Sequence, residues 1–302
     1  MTNWTIRQGL AENLPQIIAT LADWEPLDGC GGDVQAGDVG WMFRFGPDQT
    51  ASSLVEIADE DGTPGAVFLK DGDGVWLFAM DPALTRDRAL ADAIASWADD
   101  IQGDGPLWID GPTAPALWRQ VLVHQGFEAS AEPWVHLWKP LGEQGIVDIA
   151  GVSPTLTESD VSDRIAVLTA AFERSTFTVD KWHAMAAGTC FRPELDLLAR
   201  DHSGNPVAAL TAWMSGVGKC GLIEPMGTHP DFRRQGHGRR LLQAAFAALA
   251  REGASSVCVV TPVSNVAAVE LYRSAGFIRI GTLQAMERDT ARLPGGPDGD
   301  VA

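Results

Sequence analysis

Four arginines and two glycines lie close together at the start of a predicted helix. The arginines are Arg233, Arg234, Arg239 and Arg240, and the glycines are Gly236 and Gly238. A helix N-terminus is the positive end of the helix dipole, so these cations are unfavourable there until an anion binds between them. The glycines let the backbone approach that anion without a Cβ in the way. The stretch therefore predicts a phosphate-binding loop.

The spacing within this loop excludes two common phosphate sites. A P-loop needs Gly-Lys-Ser/Thr after four intervening residues, which is absent here. A dinucleotide fingerprint needs a third small residue at position 241, where the chain has Leu241. The remaining pattern, Arg233-x-x-Gly236-x-Gly238, resembles the pyrophosphate loop of the GNAT superfamily, the acyl-CoA-dependent N-acetyltransferases.

A second motif supports this resemblance. Residues 265–277 match the GNAT pattern Asn-x-x-Ala-x-x-Leu-Tyr-x-x-x-Gly-Phe at the family's usual distance after the loop. The two motifs cover the C-terminal half of the chain. The N-terminal half resembles a degenerate GNAT copy, so the whole arrangement is similar to the tandem architecture of the mycothiol synthases.

The resemblance implies acetyl-CoA as cosubstrate and a set of cofactor-binding residues. These are Met226, Gly227 and Thr228 on a strand, Arg233, Arg234, Gln235, Gly236, His237, Gly238 and Arg239 in the loop, and Asn265 in the second motif. In the family, the strand bulges away from its neighbour and the pantetheine arm lies between them. Pro225, which removes a ladder donor, and Gly227, which permits close backbone approach, are typical of such an interrupted strand.

Tyr272 is the only tyrosine of the chain, against eleven phenylalanines and eleven tryptophans. The family implies that its phenol is the general acid, which hydrogen-bonds and protonates the departing thiolate. The alternative is an aromatic core residue whose hydroxyl reaches solvent.

Glu224 is the candidate for the base that takes the proton from the acceptor ammonium. In relatives the basic glutamate often stands earlier on this strand, at the position of Leu222, so an anchor for a cationic substrate and a solvated strand residue stay open as alternatives. The segment 172–190 corresponds to the family's acceptor flap, where four residues could line the pocket but are given no role. They are Glu173, Asp180, Trp182 and His183.

Periodic apolar residues predict the elements that position these groups. Leu241, Leu242, Ala245, Phe246 and Leu249 predict a long helix that ends at Gly253. In the first half, strands are expected near 40–45 and 53–58. The predicted fold class is α/β with mixed sheets, in two tandem GNAT-like domains, each a twisted and mostly antiparallel sheet flanked by helices. The predicted limits are 1–140, a linker at 141–154, a catalytic domain at 155–292 and a loose tail at 293–302.

Matching landmarks in the two halves predict an internal duplication. Asp81-Pro82 and His229-Pro230 lie 148 residues apart in their prolines, and Gly126-Phe127 and Gly276-Phe277 lie 150 residues apart. The first copy lacks the phosphate loop, because Thr85, Arg88 and Leu90 stand at the positions of its arginine and glycines. We therefore expect the second half to bind the cofactor and carry the catalytic residues, and the first half to have a supporting, structural role.

Composition narrows the class of protein further. The net charge of −18 is carried by residues 1–150, which hold 24 acidic and 7 basic side chains, so nucleic acid is not an expected partner. This acidic half either keeps the protein soluble or attracts a cationic substrate. No apolar run is long enough for a membrane span or an export signal, and four scattered cysteines predict thiols in a reducing cytoplasm. No histidine or cysteine spacing predicts a metal site.

The sequence thus predicts a cytoplasmic acetyl-CoA-dependent N-acetyltransferase, which acetylates a primary amine of a small, cationic acceptor by direct attack in a ternary complex. Two alternatives stay open: a non-catalytic acyl-CoA-binding or regulatory tandem protein, and an enzyme like mycothiol synthase. The sequence makes no prediction of oligomeric state.

Overall fold

The computed structural model describes residues 3–27, 34–103, 105–111, 117–142, 149–155 and 157–289. The strands are β1 (Thr5–Gln8), β2 (Leu54–Ala58), β3 (Pro64–Gly72), β4 (Val75–Met80), β5 (Leu107–Asp110), β6 (Glu128–Ala129), β7 (Trp134–Pro140), β8 (Val152–Pro154), β9 (Asp196–Arg200), β10 (Pro206–Met214), β11 (Cys220–Thr228), β12 (Ser256–Pro262), β13 (Ile278–Leu283) and β14 (Met286–Arg288). The helices are α1 (Leu14–Trp24), α2 (Ala36–Met42), α3 (Pro47–Ser52), α4 (Arg88–Ile101), α5 (Leu117–His124), α6 (Glu158–Ala171), α7 (Val179–Ala186), α8 (His237–Arg251) and α9 (Val266–Ser274). The predicted tail at 293–302 lies outside the described residues.

Within the described ranges the strands form two seven-stranded mixed sheets. The first has the order β1-β2-β3-β4-β5-β14-β6, and the second has the order β13-β7-β12-β11-β10-β9-β8. Neighbouring strands are antiparallel except for one parallel pair in each sheet, β4 with β5 and β11 with β12. Helices cover the sheets, so the predicted fold class is confirmed.

The two sheets exchange strands. β7 comes from the first half of the chain but lies between β12 and β13, with Trp138 opposite both Cys258 and Ile278. β14 comes from the end of the chain but lies between β5 and β6, with Met286 opposite Ile109. The predicted limits 1–140 and 155–292 stay a prediction about domains, and hydrogen-bonded pairing crosses them in both directions.

The long helix of the second half is confirmed. α8 buries Leu241, Leu242, Ala245, Phe246 and Leu249 against the second sheet, and Gly253 follows the helix with a φ of +88°. This φ lies in the left-handed region, which glycine adopts without strain, and it ends the helix. The apolar stripe therefore fixes α8 on the sheet and sets where its N-terminus lies.

The strand predicted at 40–45 is wrong, because this segment forms α2 and a 3-10 turn at Phe43–Phe45. Two glycines on one face of α2 allow the helix to lie directly on the second sheet. A Cβ at Gly37 would be 2.5 Å from Cβ of Trp213, and one at Gly40 would be 2.7 Å from the Trp213 ring. The short apolar run is typical of a strand, but tertiary packing selects the helix.

Candidate active site

The site begins where β11 separates from β12. The parallel pairing ends at Leu222 opposite Cys258, although β11 continues to Thr228. Between the β10–β11 pairs Leu210–Met226 and Ala212–Ile223, two residues of β11, Glu224 and Pro225, face one residue of β10. This two-to-one pairing is a β-bulge, which bends the strand. The two strands therefore diverge over the second half of β11.

The indole of Trp213 holds the bulge in place. Its Nε1 donates a hydrogen bond to the backbone carbonyl of Glu224 at 2.5 Å. Trp213 is 1% exposed and packs against both glycines of α2. The backbone at Glu224 is thus fixed by a residue that also contacts the first half of the chain.

The side chain of Glu224 is partly buried and shares a hydrogen bond with Asp38 of α2. Burial raises the pKa of the Glu224 carboxyl well above its usual value, and the negative charges of Asp38 and Asp71 raise it further. Burial also raises the pKa of Asp38, to about 7, against a lowering by the Gln35 backbone N–H, which donates to its Oδ2 at 2.6 Å. Two close carboxyl groups whose pKa values are both raised by burial retain a proton between them.

Asp38 is the functional residue that sequence reasoning missed. It lies 186 positions before Glu224 in the chain. Its only local signal is the capping box with Gln35, in which each side chain accepts a hydrogen bond from the other residue's backbone. This pattern predicts a helix start and gives no indication of a partner in the second half.

Tyr272 lies on α9 and is 6% exposed. Its ring contacts the ring of Phe277, with centroids 5.5 Å apart. Burial and the charge of Glu224 both raise the pKa of the Tyr272 phenol, so its hydroxyl stays protonated. The ring of Tyr272 thus lies in the core, and the hydroxyl is close enough to Glu224 to feel its charge. Its role as general acid stays a prediction.

The N-terminus of α8 is open towards solvent. Gly236 occupies the N-cap with a φ of +85°, no side chain caps the helix, and its first turn contains no acidic residue. A Cβ at Gly236 would meet nothing within 4 Å. Arg234 and Arg239 are exposed beside it. Unpaired N–H groups, a positive dipole end and these two arginines fit a bound diphosphate.

Gly238 and Gly227 permit close packing on either side of β11. A Cβ at Gly238 would lie 3.2 Å from Thr228 Oγ1 and 3.4 Å from the Met226 methyl group, so the first turn of α8 rests on the end of β11. A Cβ at Gly227 would lie 2.8 Å from Ala171 of α6. The structure therefore brings the predicted strand residues and the predicted loop together.

The other predicted loop residues differ in what they contact. Arg233 donates from Nε to the carbonyl of Thr228 at 3.3 Å, and Gln235 donates to the carbonyl of Asp231. His237 is buried, and within the described residues its Nε2 has no hydrogen-bond partner. Burial and the charge of Arg240 lower the pKa of its imidazole.

Two predicted residues have structural contacts of their own. Arg240, which the sequence places among the anion-binding arginines, donates instead to the carbonyl of Arg200 at 3.1 Å. Asn265 is the N-cap of α9, where its side chain accepts from the backbone N–H of Ala268. The roles of the predicted cofactor residues stay predictions.

A cleft of about 730 Å³ opens beside Pro225, next to Glu224. One wall is the segment after α6, the predicted flap, and the other is the end of α2 and the 3-10 turn that follows it. Glu173 lines the cleft, whereas Trp182 is 9% exposed and donates from Nε1 to the buried Asp196 at 3.0 Å. Both halves of the chain therefore form this cleft.

Residues 162–277 match the sequence profile of the acetyltransferase (GNAT) family. This span contains β11, α8 and α9, the elements that carry the site. The second half of the chain is thus a GNAT acetyltransferase domain, and the predicted acyltransferase class is confirmed.

Over most of its length the chain is similar to known acetyltransferases and to a tandem GNAT protein. It is 26% identical over 262 residues to a mycothiol acetyltransferase of Arthrobacter sp. (strain FB24), covering 79% of this chain and 77% of that protein. Its fold is similar to a GCN5-related N-acetyltransferase of Sphaerobacter thermophilus, with a TM-score of 0.59, 19% identity and coverage of 94% and 95% of the two chains. It is also similar to a tandem GNAT protein from the clavulanic acid biosynthesis pathway, with a TM-score of 0.58, 15% identity and coverage of 95% and 98%.

Two general features of the described ranges complete the site description. None of their helices has the length and apolar character to cross a membrane. No three His, Cys, Asp or Glu side chains among them are grouped so that they could hold a metal ion.

Proposed function

We propose that the protein transfers an acetyl group from acetyl-CoA to a primary amine of a small acceptor. The observation that carries the proposal is the divergence of β11 from β12, with the uncapped N-terminus of α8 at the end of β11 and the Glu224–Asp38 pair at its bulge. Acetyl-CoA, when bound, supplies a thioester as the acyl donor. The first turn of α8, with Arg234 and Arg239, would hold its diphosphate.

The Glu224–Asp38 pair removes the proton from the acceptor ammonium. An ordinary primary ammonium has a pKa of ~10 and cannot attack until it loses a proton. A carboxylate whose pKa is raised by burial is a stronger base than an exposed one. Asp38 serves as a positioning residue, because its hydrogen bond fixes the Glu224 carboxyl and shares the proton that arrives.

Tyr272 holds its proton and donates a hydrogen bond at the leaving sulfur. Burial and Glu224 keep its pKa above the ordinary value, so full transfer to a thiolate with a pKa of ~8.5 is uphill. The hydrogen bond itself therefore supplies most of the stabilisation. This role needs the hydroxyl and not only the ring.

Attack by the amine is direct, in a ternary complex. Cys220 and Cys258 are 1% and 0% exposed, and burial raises the pKa of the Cys190 thiol to about 11. A buried or strongly basic thiol is a poor nucleophile at neutral pH. These three cysteines therefore favour a mechanism without an acyl-enzyme step.

The acceptor is a small amine that carries a positive charge at its reacting end, because the group proposed to meet its ammonium is the Glu224–Asp38 carboxyl pair. A second candidate acceptor is the amine of a mycothiol precursor, favoured by the similarity to the Arthrobacter mycothiol acetyltransferase.

The test is a panel of primary amines, including a mycothiol precursor, incubated with purified protein and acetyl-CoA while free thiol is measured. We expect amine-dependent thiol release that Tyr272→Phe slows by ~10²–10⁴. Tight CoA binding in calorimetry without thiol release from any amine would favour the sensor alternative. No heat from either CoA or acetyl-CoA would overturn the proposal.

A further inference from the structure

The charges on the wall of the acceptor cleft differ from those of the chain as a whole. The chain has a net charge of −18, and the half that supplies α2 holds only 7 basic side chains. The cleft nevertheless has four cations in its lining and one carboxylate, that of Glu173. The cations are Arg44, Arg174, Lys181 and Arg233. A wall of this composition favours an anion.

Two of these cations lie against the same aromatic ring. The guanidinium carbon of Arg44 is 4.4 Å from the ring centroid of Phe45, and Nζ of Lys181 is 5.2 Å from it. Arg44 comes from the first half of the chain and Lys181 from the flap of the second half. Like charges that share one ring repel each other, and an anion bound by both would offset that repulsion.

Among the described residues, neither cation has a carboxylate within 4 Å. Among the ion pairs of the described residues, none within 4 Å involves Arg44, Arg174 or Lys181. Asp71 and Glu224 act on Arg44 from a longer range, and burial still lowers the pKa of its guanidinium to about 10. A partly desolvated cation with no carboxylate in contact gains more from an incoming anion than one in water does.

Both cations also have donors to spare. Lys181 Nζ donates to the backbone carbonyl and to Oγ1 of Thr176, each at 2.9 Å, which leaves one of its three N–H groups. Arg44 donates from Nη1 to the carbonyl of Trp41 at 2.8 Å, which leaves most of its five N–H groups. These contacts orient the two side chains without using up their capacity for hydrogen bonds.

We propose that Arg44 and Lys181, with Arg174 at the rim, form an anion-binding subsite in the acceptor cleft, so that the acceptor is a primary amine that also carries a carboxylate or phosphate-type group. This inference rests on the proposed acetyl transfer. The amine lies at the Glu224 end of the cleft, beside Pro225, and the anionic group lies between the flap and the 3-10 turn at Phe43–Phe45. A volume of about 730 Å³ accommodates both groups on one small molecule.

The test compares acceptors that differ only in the anionic group. n-Butylamine, 4-aminobutyrate and 3-aminopropylphosphonate share a primary amine on a short chain, and turnover is followed as thiol release from acetyl-CoA. We expect kcat/KM for one of the two anionic acceptors to exceed that for butylamine by at least ~10-fold, and the better of the two identifies the group. Equal values for all three would overturn the subsite while leaving acetyl transfer in place.

Substitution of Lys181 shows whether this preference comes from the subsite. We expect Lys181→Met to lower kcat/KM for the anionic acceptor by ~10-fold or more and to lower that for butylamine much less, while Lys181→Arg retains the preference. Lys70→Met, at an exposed lysine on β3, is the control for loss of one positive charge. An equal loss for both kinds of acceptor in Lys181→Met would contradict the proposal.

A binding measurement keeps the subsite testable without turnover. Calorimetry of the full chain with 4-aminobutyrate and with 3-aminopropylphosphonate should show heat that Lys181→Met reduces and Lys70→Met does not. Failure of every amine to release thiol would count against acetyl transfer, and absence of this heat would count against the subsite. The two failures are therefore distinguishable.

Discussion

The two halves of the chain share one arrangement of strands, 3-10 turn and helix. In the second half the region beside β11 and the N-terminus of α8 are open, whereas side chains fill the corresponding positions in the first half. Each sheet has one parallel strand pair with three residues in register, β4 with β5 and β11 with β12. A 3-10 turn follows each first strand, and the residue before its proline caps it: Asp81 accepts from the N–H of Ala83, and His229 accepts from that of Asp231. The predicted duplication thus agrees with the local structure at these landmarks.

The first half fills the space that the second half keeps free. The ring of Phe78 is stacked on Phe68 at 4.8 Å and meets Trp118 edge-on at 4.6 Å. A Cβ at Gly111 would lie only 2.0 Å from the Phe78 ring. Aromatic side chains therefore occupy the region beside β4, whereas the corresponding region beside β11 has a bulge and a cleft.

The helix N-termini differ in the same way. At α4, the carboxylate of Asp87 accepts from the N–H of Leu90 at 2.8 Å, so the positive end of that helix already has an anionic partner. At α8, Gly236 provides no side chain. The N-terminus of α4 is thus capped by the neighbouring Asp87 side chain, whereas the N-terminus of α8 is accessible to a ligand.

The largest expected effect on activity comes from removing the hydroxyl of Tyr272, the only tyrosine of the chain. Tyr272→Phe should lower kcat by ~10²–10⁴ while CoA affinity stays within about twofold, because the ring contact with Phe277 is kept and only the proton donor is lost. Steady-state kinetics and CoA calorimetry measure the two quantities. Unchanged turnover would remove Tyr272 from the mechanism.

A smaller loss of activity is expected from substitution of Glu224, the proposed base. Glu224→Gln should lower kcat/KM by ~10–10³ and remove the acidic limb of its pH profile. In the wild-type protein this limb should rise with pH through about 7, since the pair must lose a proton before it can accept one. A variant profile that keeps the wild-type limb would assign the base to another group.

Placing a carboxylate at the N-cap of α8, as Asp87 is placed at the N-cap of α4, should weaken cofactor binding. Gly236→Asp places a carboxylate at the N-cap, where it would occupy N–H groups and repel a diphosphate, so we expect the Kd for CoA to rise by ~10–100-fold. Gly236→Asn is the matched control, because asparagine tolerates the same left-handed φ and caps without charge. If both variants weakened CoA binding equally, charge at this position would not be the cause.

The smallest effect concerns stability. The folded-state pKa of Asp38 is raised from 3.8 to about 7, so the folded protein binds more protons than the unfolded chain in this interval and loses stability as pH rises through it. Asp38→Asn should therefore be more stable than wild type by ~1–3 kcal/mol at pH 8, with little difference at pH 4.

Denaturation at both pH values measures this difference. Glu60→Gln, at an exposed position, is the control for loss of one charge. Equal gains at pH 4 and pH 8 in Asp38→Asn would contradict the assignment of a raised pKa to Asp38.

The parts of the site that could be predicted are those with a local pattern. Gly236, Gly238 and the stripe from Leu241 to Leu249 lie within 14 residues of one another, and helix geometry relates them directly. The interruption of β11 was predictable because Pro225 lies inside the strand. These features depend on backbone preferences that a single segment contains.

The rest depends on contacts between distant segments. β14 has three residues and β6 has two, which is too short for any alternation to specify their pairing. Asp38 reaches Glu224 because two glycines of α2 fit against Trp213, and nothing near position 38 encodes that indole. The supporting half therefore contributes to the site in a way that its own sequence does not reveal.

The exchanged strands have a consequence for any attempt to divide the protein. A fragment that ends near residue 141 keeps β7 without its partners and lacks β14, and the complementary fragment has β12 and β13 with no strand to join them. Neither piece can satisfy its backbone hydrogen bonds alone. The second sheet is thus completed by β7, which is synthesised before its other strands, and the first sheet is completed by β14, which is synthesised after its other strands.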